Sequence, residues 1–148
     1  MTARRWRDGP AAEGERGTVA VFTVIFTIFV IVMAGLLVDG GDAIDARSRA
    51  GQIAEEGARA AANDVDVAYL RQTGKVRIVN VGACAKAATL VADYPEVTAR
   101  PGCEVLDNGG EAQVTVSITV PLKLLSIIPG FRDFTVSATA DARPQAGV

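Results

Sequence analysis

The chain has 148 residues, 15 Lys plus Arg against 17 Asp plus Glu, a formal net charge of −2 and no histidine. Missing histidine removes His-based acid–base catalysis, the Ser–His and Cys–His triads and most zinc sites, and the slightly negative charge gives no basis for binding nucleic acid. Mean hydropathy is +0.26, high for a chain whose length argues for one domain plus at most an appendage, so the location of the apolar residues matters first.

Residues 1–17 mix Arg, Glu, Gly, Pro and Ala around one large apolar residue, Trp6. That composition predicts a disordered tail. Thr18 to Val38 is a run of 21 residues without a charge, 17 of them apolar. As a helix it spans roughly 30 Å, the thickness of a bilayer's hydrocarbon core. In lipid its Val, Ile and Phe content is no handicap, because the backbone must satisfy itself internally. Thr18, Thr23 and Thr27 are placed to bond back to their own helix. A retained membrane anchor is the favoured reading. A cleaved secretory signal is the alternative, since Val32-Met33-Ala34 loosely resembles a small-x-small site, but the apolar run continues past it to Val38. A signal's apolar region is usually about 7–15 residues. Arg4, Arg5, Arg7 and Arg16 precede the span, whereas only Arg47 and Arg49 follow closely. That bias predicts a single-pass cell-membrane protein with a cytoplasmic N-terminus and residues 39–148 outside.

Beyond the span, Asp42 to about Leu70 keeps a helical pattern, and residues 39–72 are expected to extend the span as one rod. Ala50, Ile53, Ala54, Gly57, Ala58, Ala61 and Val65 recur at three- and four-residue steps and form one stripe. The stripe is nearly all Ala and Gly, a face that buries little area but admits another backbone closely. Asp45 with Arg49 and Glu55 with Arg59 are i,i+4 pairs in the favourable order. Asp39, Asp42 and Asp45 read as a solvated helix start. Their spacing is wrong for a calcium loop, which needs alternating acidic ligands, a glycine turn and a closing Glu, so no metal is expected.

Residues 73–148 read as a small α+β head. Gly74 is a helix cap. Lys75–Asn80 alternates and reads as a short strand, and Val81–Tyr94 reads as an Ala-rich helix stopped by Pro95. Gly102 and Asp107-Asn108-Gly109-Gly110 are turn signals. Ala112–Val120 is the clearest strand, with Val114, Val116, Ile118 and Val120 on one side. Phe134–Arg143 repeats the pattern with Phe134, Val136, Ala138 and Ala140 inward. The expected result is an antiparallel sheet of three or four strands with helices on one face.

Cys84 and Cys103 are the only cysteines. In an outside compartment a disulfide between them is the expected state, worth about 3 kcal/mol in the chain-entropy model. Leu124, Leu125, Ile127, Ile128 and Phe131 either close the open end of the sheet or form a contact patch for a partner or the bilayer surface. Lys123 and Ser126 have the spacing of a Ser–Lys pair, with nothing else to support catalysis. No phosphate loop or paired carboxylates appear. No catalytic, cofactor-binding or metal-ligating residue is predicted, and the chain reads as non-enzymatic.

Arg16-Gly17-Thr18-Val19-Ala20-Val21-Phe22 opens the span and Gly35-Leu36-Leu37-Val38-Asp39-Gly40-Gly41 closes it, followed by Arg47, Arg49, Gln52 and the Ala-rich stripe through Ala61. This pattern resembles the TadE/TadG-like family of Flp (Tad) pilus-assembly proteins, in a short actinobacterial form that the Arg-rich composition and the Val114–Arg143 ending also fit. The resemblance implies a pilin-like fold, with a long N-terminal transmembrane helix running into a small extracytoplasmic head. It implies a place in a pilus or secretion machine with a cytoplasmic ATPase and a membrane platform. Relatives that resemble pseudopilins are cut after a Gly with a Glu five residues on; here the fifth residue after Gly17 is Phe22, which argues against cleavage and bulk polymerisation. The implied partners are the lipid bilayer and other Tad membrane proteins or pilins, packed laterally on the small-residue stripe; a homo-oligomer is compatible with the same face. The alternative is a bitopic envelope protein whose head binds a ligand or partner unrelated to pili.

Overall fold

The computed structural model describes residues 13–130 and 132–145. Trp6, Arg4, Arg5 and Arg7 lie outside the described residues, as does Phe131. The first helix, α1 (Glu13–Ala62), runs 50 residues, roughly 75 Å at 1.5 Å per residue. It begins inside the segment expected to be a disordered tail, because extending an existing helix costs far less than nucleating one. Thr23 Oγ1 donates to the Val19 carbonyl at 2.8 Å and Thr27 Oγ1 to that of Thr23 at 2.7 Å. The helix runs through Gly40 and Gly41 without interruption.

The rod expected to reach Leu70 ends at Ala62. The sequence Asn63-Asp64-Val65-Asp66 redirects its backbone groups to residues 77–79: Asp66 N donates to the Arg77 carbonyl at 2.8 Å and Val79 N to that of Asp64 at 2.8 Å. Val65 therefore leaves the stripe and forms an isolated bridge with Ile78. Asp66 caps a separate short helix, α2 (Val67–Thr73), by accepting from Tyr69 N at 2.9 Å. Gly74 closes α2 in the left-handed region at φ 69°. Lys75–Asn80 makes no strand beyond that bridge, because Ile78 N donates to the Gly109 carbonyl at 2.9 Å. Gly109, at φ 94°, must be glycine there: a Cβ would fall 2.3 Å from Arg77 Cγ and 3.1 Å from Ile78 N.

Helix α3 (Asn80–Ala92) leads to a three-stranded antiparallel sheet in the order β1 (Gly102–Leu106), β2 (Glu111–Pro121), β3 (Asp133–Ala142). Gly102 starts a strand rather than a turn. Asp107 and Asn108, both at positive φ, make the hairpin turn. Strand β2 is central and pairs Val114 with Ala140, Val116 with Ala138 and Ile118 with Val136. Ala112, Val114, Val116 and Ile118 alternate inward and are buried. On the outer face, the hydroxyls of Thr115 and Thr139, Ser117 and Ser137, and Thr119 and Thr135 pair across the strands.

The core lies where the inner face of the sheet and α3 (Ala83, Ala87, Val91) close on the small-residue stripe of α1. Ala50, Ala54, Ala58 and Ala61 are fully buried there and Ile53 nearly so. At Gly57 a Cβ would lie 3.1 Å from Val91 Cγ2 and 3.2 Å from Val114 Cγ1, so α1, α3 and β2 meet tightly at that glycine. The stripe expected to face other helices is thus covered by the chain's own head. Its lack of side-chain volume is what lets a sheet and a helix approach together. Just beyond α3, Tyr94 adds a hydrogen bond from its hydroxyl to Glu56 of α1. Glu55 pairs with Arg59, while Arg49 reaches Glu96 at 3.8 Å rather than Asp45. Cys84 of α3 and Cys103 of β1 are bonded, with Cα atoms 5.6 Å apart.

Candidate functional site

The stripe does not begin at Ala50. Stepping back along the same face, Ala46, Asp39 and Gly35 are also buried. What covers Gly35 and Asp39 is the connection from β2 to β3. Pro121 ends β2, and Leu122 N donates to the Arg132 carbonyl at 2.9 Å, closing the neck of the connection. A 3-10 turn over Leu125–Ile127 follows, and Pro129-Gly130, with Gly130 at φ 100°, turns the chain back.

Asp39 holds this connection. Its Oδ1 accepts from Lys123 N at 2.9 Å and Leu124 N at 3.3 Å, and its Oδ2 from Leu124 N at 3.2 Å and Leu125 N at 2.7 Å. Three successive amides converge on one carboxylate, as at a helix N-terminus or an anion nest. The Leu125 N–H above all, then those of Lys123 and Leu124 and the Lys123 charge, hold the Asp39 carboxyl below the usual carboxylate range against the opposing effect of burial. Lys123 Nζ lies 2.9 Å from Asp42 Oδ2, which favours the charged ammonium and raises its pKa. Asp39 and Asp42, expected to be solvated, are instead the acidic half of a clasp; Asp45 alone of the three is exposed.

At Gly35 a Cβ would meet Leu124 Cβ and Leu125 Cδ2 at 3.4 Å each. This is ordinary contact, so the two leucines lie directly on the helix surface. Beside them a cleft of about 280 Å³ opens between the span (Ile31, Val32, Ala34) and the connection (Leu124, Ile127, Ile128). Of the predicted patch, Leu125 is half-buried against α1, whereas Leu124, Ile127 and Ile128 are exposed. The patch does not close the open end of the sheet; it packs alongside the apolar helix. Ser126 Oγ donates to the Lys123 carbonyl at 3.1 Å and Lys123 Nζ is engaged by Asp42, so the two do not form a catalytic pair. Among the described residues, no three His, Cys, Asp or Glu side chains converge as a metal site would require.

Gly35, one of the glycines expected at the membrane exit to bend the rod or to let a neighbour pack, does the second, whereas the role of Asp39 was not foreseen. The available signal was their i,i+4 spacing in register with the Ala stripe, together with Asp39 being the first charge after the apolar run.

The fold is therefore that of an α+β head built along the C-terminal half of one long helix, whose N-terminal half is long and apolar enough to cross a membrane and almost bare of contacts. Residues 17–64 match the family model described as putative Flp pilus-assembly TadE/G-like, so the resemblance holds from Gly17 through the end of α1 and the turn after it, with Arg16 outside the match. The sheet lies outside the matched segment. The chain has no match among curated proteins or among solved structures.

Proposed function

We propose that the protein is a non-enzymatic, membrane-anchored component of Tad/Flp pilus or related secretion assembly. The observation that carries this reading is the coincidence of the TadE/G-like match, residues 17–64, with α1 and the turn that ends it. The Arg bias across Thr18–Val38 supports a single pass with the N-terminus in the cytoplasm and the head outside. Because the head occupies the small-residue face from Gly35 to Ala62, pilin or platform helices pack on the bare sides of the span nearer its N-terminus, where Phe22 and Phe26 stack with ring centroids 6.1 Å apart. The absence of a Glu at position 22 supports an uncut N-terminus.

Deleting the gene and scoring surface pili and secreted proteins tests the reading. Loss of either, restored by the intact chain, is expected; normal piliation and secretion would reject it. One observation favours a second reading, an envelope protein whose head binds a partner unrelated to pili. The sheet falls outside the matched segment and presents the Ser/Thr ladder of β2 and β3 outward. Normal piliation and secretion in the deletion strain, with an envelope defect restored by the intact chain but not by residues 1–64, would support that alternative.

A further inference from the structure

The exposed apolar residues of the β2–β3 connection lie beside the helix rather than beside the sheet. The cleft that Leu124, Ile127 and Ile128 share with the span reaches down to Ile31. Ile31 is seven residues before Val38, the end of the uncharged run, or roughly 10 Å deeper along the helix. Ile31 is itself 62% exposed and Ile127 79% exposed, so both need the same surroundings at the same depth. Any bilayer that surrounds Ile31 also surrounds the tip of the connection.

The backbone of the connection is built for that setting. A segment entering hydrocarbon must satisfy its own N–H groups. Six of the seven N–H groups of residues 122–128 are engaged, all but that of Ser126: the N–H of Leu122 donates to Arg132, those of Lys123, Leu124 and Leu125 to Asp39, that of Ile127 to Leu124 and that of Ile128 to Leu125. The charged side chains stand at the neck and not at the tip: Lys123 turns back to Asp42, and Arg132 follows the Pro129-Gly130 bend. An apolar tip with polar flanks matches insertion by about 5–10 Å at the headgroup–acyl boundary.

We infer that Leu124–Ile128 is a second membrane contact, inserted among the acyl chains of the leaflet nearest the head, with lipid filling the cleft against Ile31 and Val32. The span and the tip then give the head two attachment points and fix its rotation and tilt on the membrane. The inference rests on Thr18–Val38 crossing the bilayer.

The test uses the full chain with its native tryptophan removed (Trp6→Phe), reconstituted in phosphatidylcholine vesicles. Ile127→Trp reports the tip, Phe26→Trp the span and Ser137→Trp the outer face of β3. Emission is read with lipids brominated near the headgroup end or deep in the acyl chain, and with aqueous iodide. The expected result is that Ile127→Trp loses most of its emission to shallow bromines and little to iodide, Phe26→Trp responds to deep bromines, and Ser137→Trp responds to iodide alone. If Phe26→Trp reports lipid while Ile127→Trp is quenched by iodide, the tip is in water and the inference is overturned with the span intact. If Ile127→Trp responds to neither quencher, protein covers the tip, from this chain or a second copy, and the inference is equally overturned. If Phe26→Trp does not respond to lipid, the span fails and the inference falls with it.

Discussion

Asp39 does at one residue what a loop usually needs several to do. Its two oxygens take the amides of Lys123, Leu124 and Leu125 and so fix an otherwise irregular connection onto α1. Asp39→Ala leaves those three part-buried donors without their partner, so amide exchange at 123–125 should quicken by orders of magnitude while the amides of β2 stay protected; Asp39→Asn, which keeps one acceptor oxygen, should fall between. Equal exchange in all three proteins would remove Asp39 from this role. The pH dependence has a definite sign. Because the native carboxyl lies below its ordinary value, of about 3.9 in an unfolded chain, the native state favours the charged form. The stabilisation is complete above the unfolded value and is lost as pH falls through the lowered native one. Asp66, whose carboxyl is lowered by the Tyr69 N–H and then by Arg77, contributes in the same direction at the start of α2. Protection of the Leu125 amide should therefore persist below pH 4 and collapse at lower pH, and Asp39→Asn should abolish that step.

At the scale of elements, the periodicity of Ala50, Ile53, Ala54, Gly57, Ala58 and Ala61 identified the buried face of α1 but not what covers it. A small-residue face fits any closely approaching backbone, and one helix's sequence carries no information about whether that backbone is intramolecular. The matching piece was the alternation of Val114, Val116 and Ile118, and only the assembled fold brings the two together. The consequence can be measured. Ala58 is fully buried, so Ala58→Leu should lower the stability of the head by about 1–3 kcal/mol through overpacking. Ile53→Ala should cost about 2–5 kcal/mol by leaving a cavity. Both should appear as a lower thermal midpoint of the full chain in detergent micelles. A stripe that served only outside partners would leave both midpoints unchanged. The break after Ala62 was legible in principle, since Asn and Asp compete with helical backbone. The apolar periodicity through Val65 masked it, because Val65 is recruited by Ile78 rather than by the stripe.

For the molecule as a whole, the head is clipped at the side away from the membrane junction. The Cys84–Cys103 bond ties α3 to the edge strand β1, which contacts the rest of the sheet only through β2. Reduction should destabilise the full chain by about 3 kcal/mol and lower its melting temperature in micelles, without changing the lipid exposure of the span. An unchanged midpoint after complete reduction would show that α3 and β1 hold without the bond.

The sequence by itself determined the apolar span, the helix that follows it, the two long strands, the cysteine pair and the TadE/G-like resemblance. Each of these is written in local periodicity, run length or composition, which survive without knowledge of the partner surface. Only the tertiary structure decided that the stripe is internal, that Gly35 and Asp39 extend it into the end of the span, and that Leu124–Ile128 lies beside Ile31. These pairings join residues from 34 positions apart, Gly57 with Val91, to 96 apart, Ile31 with Ile127, and short-range patterns cannot specify them. They arise because the β2–β3 connection falls at the end of the sheet nearest the span, where one carboxylate on α1 meets three free amides.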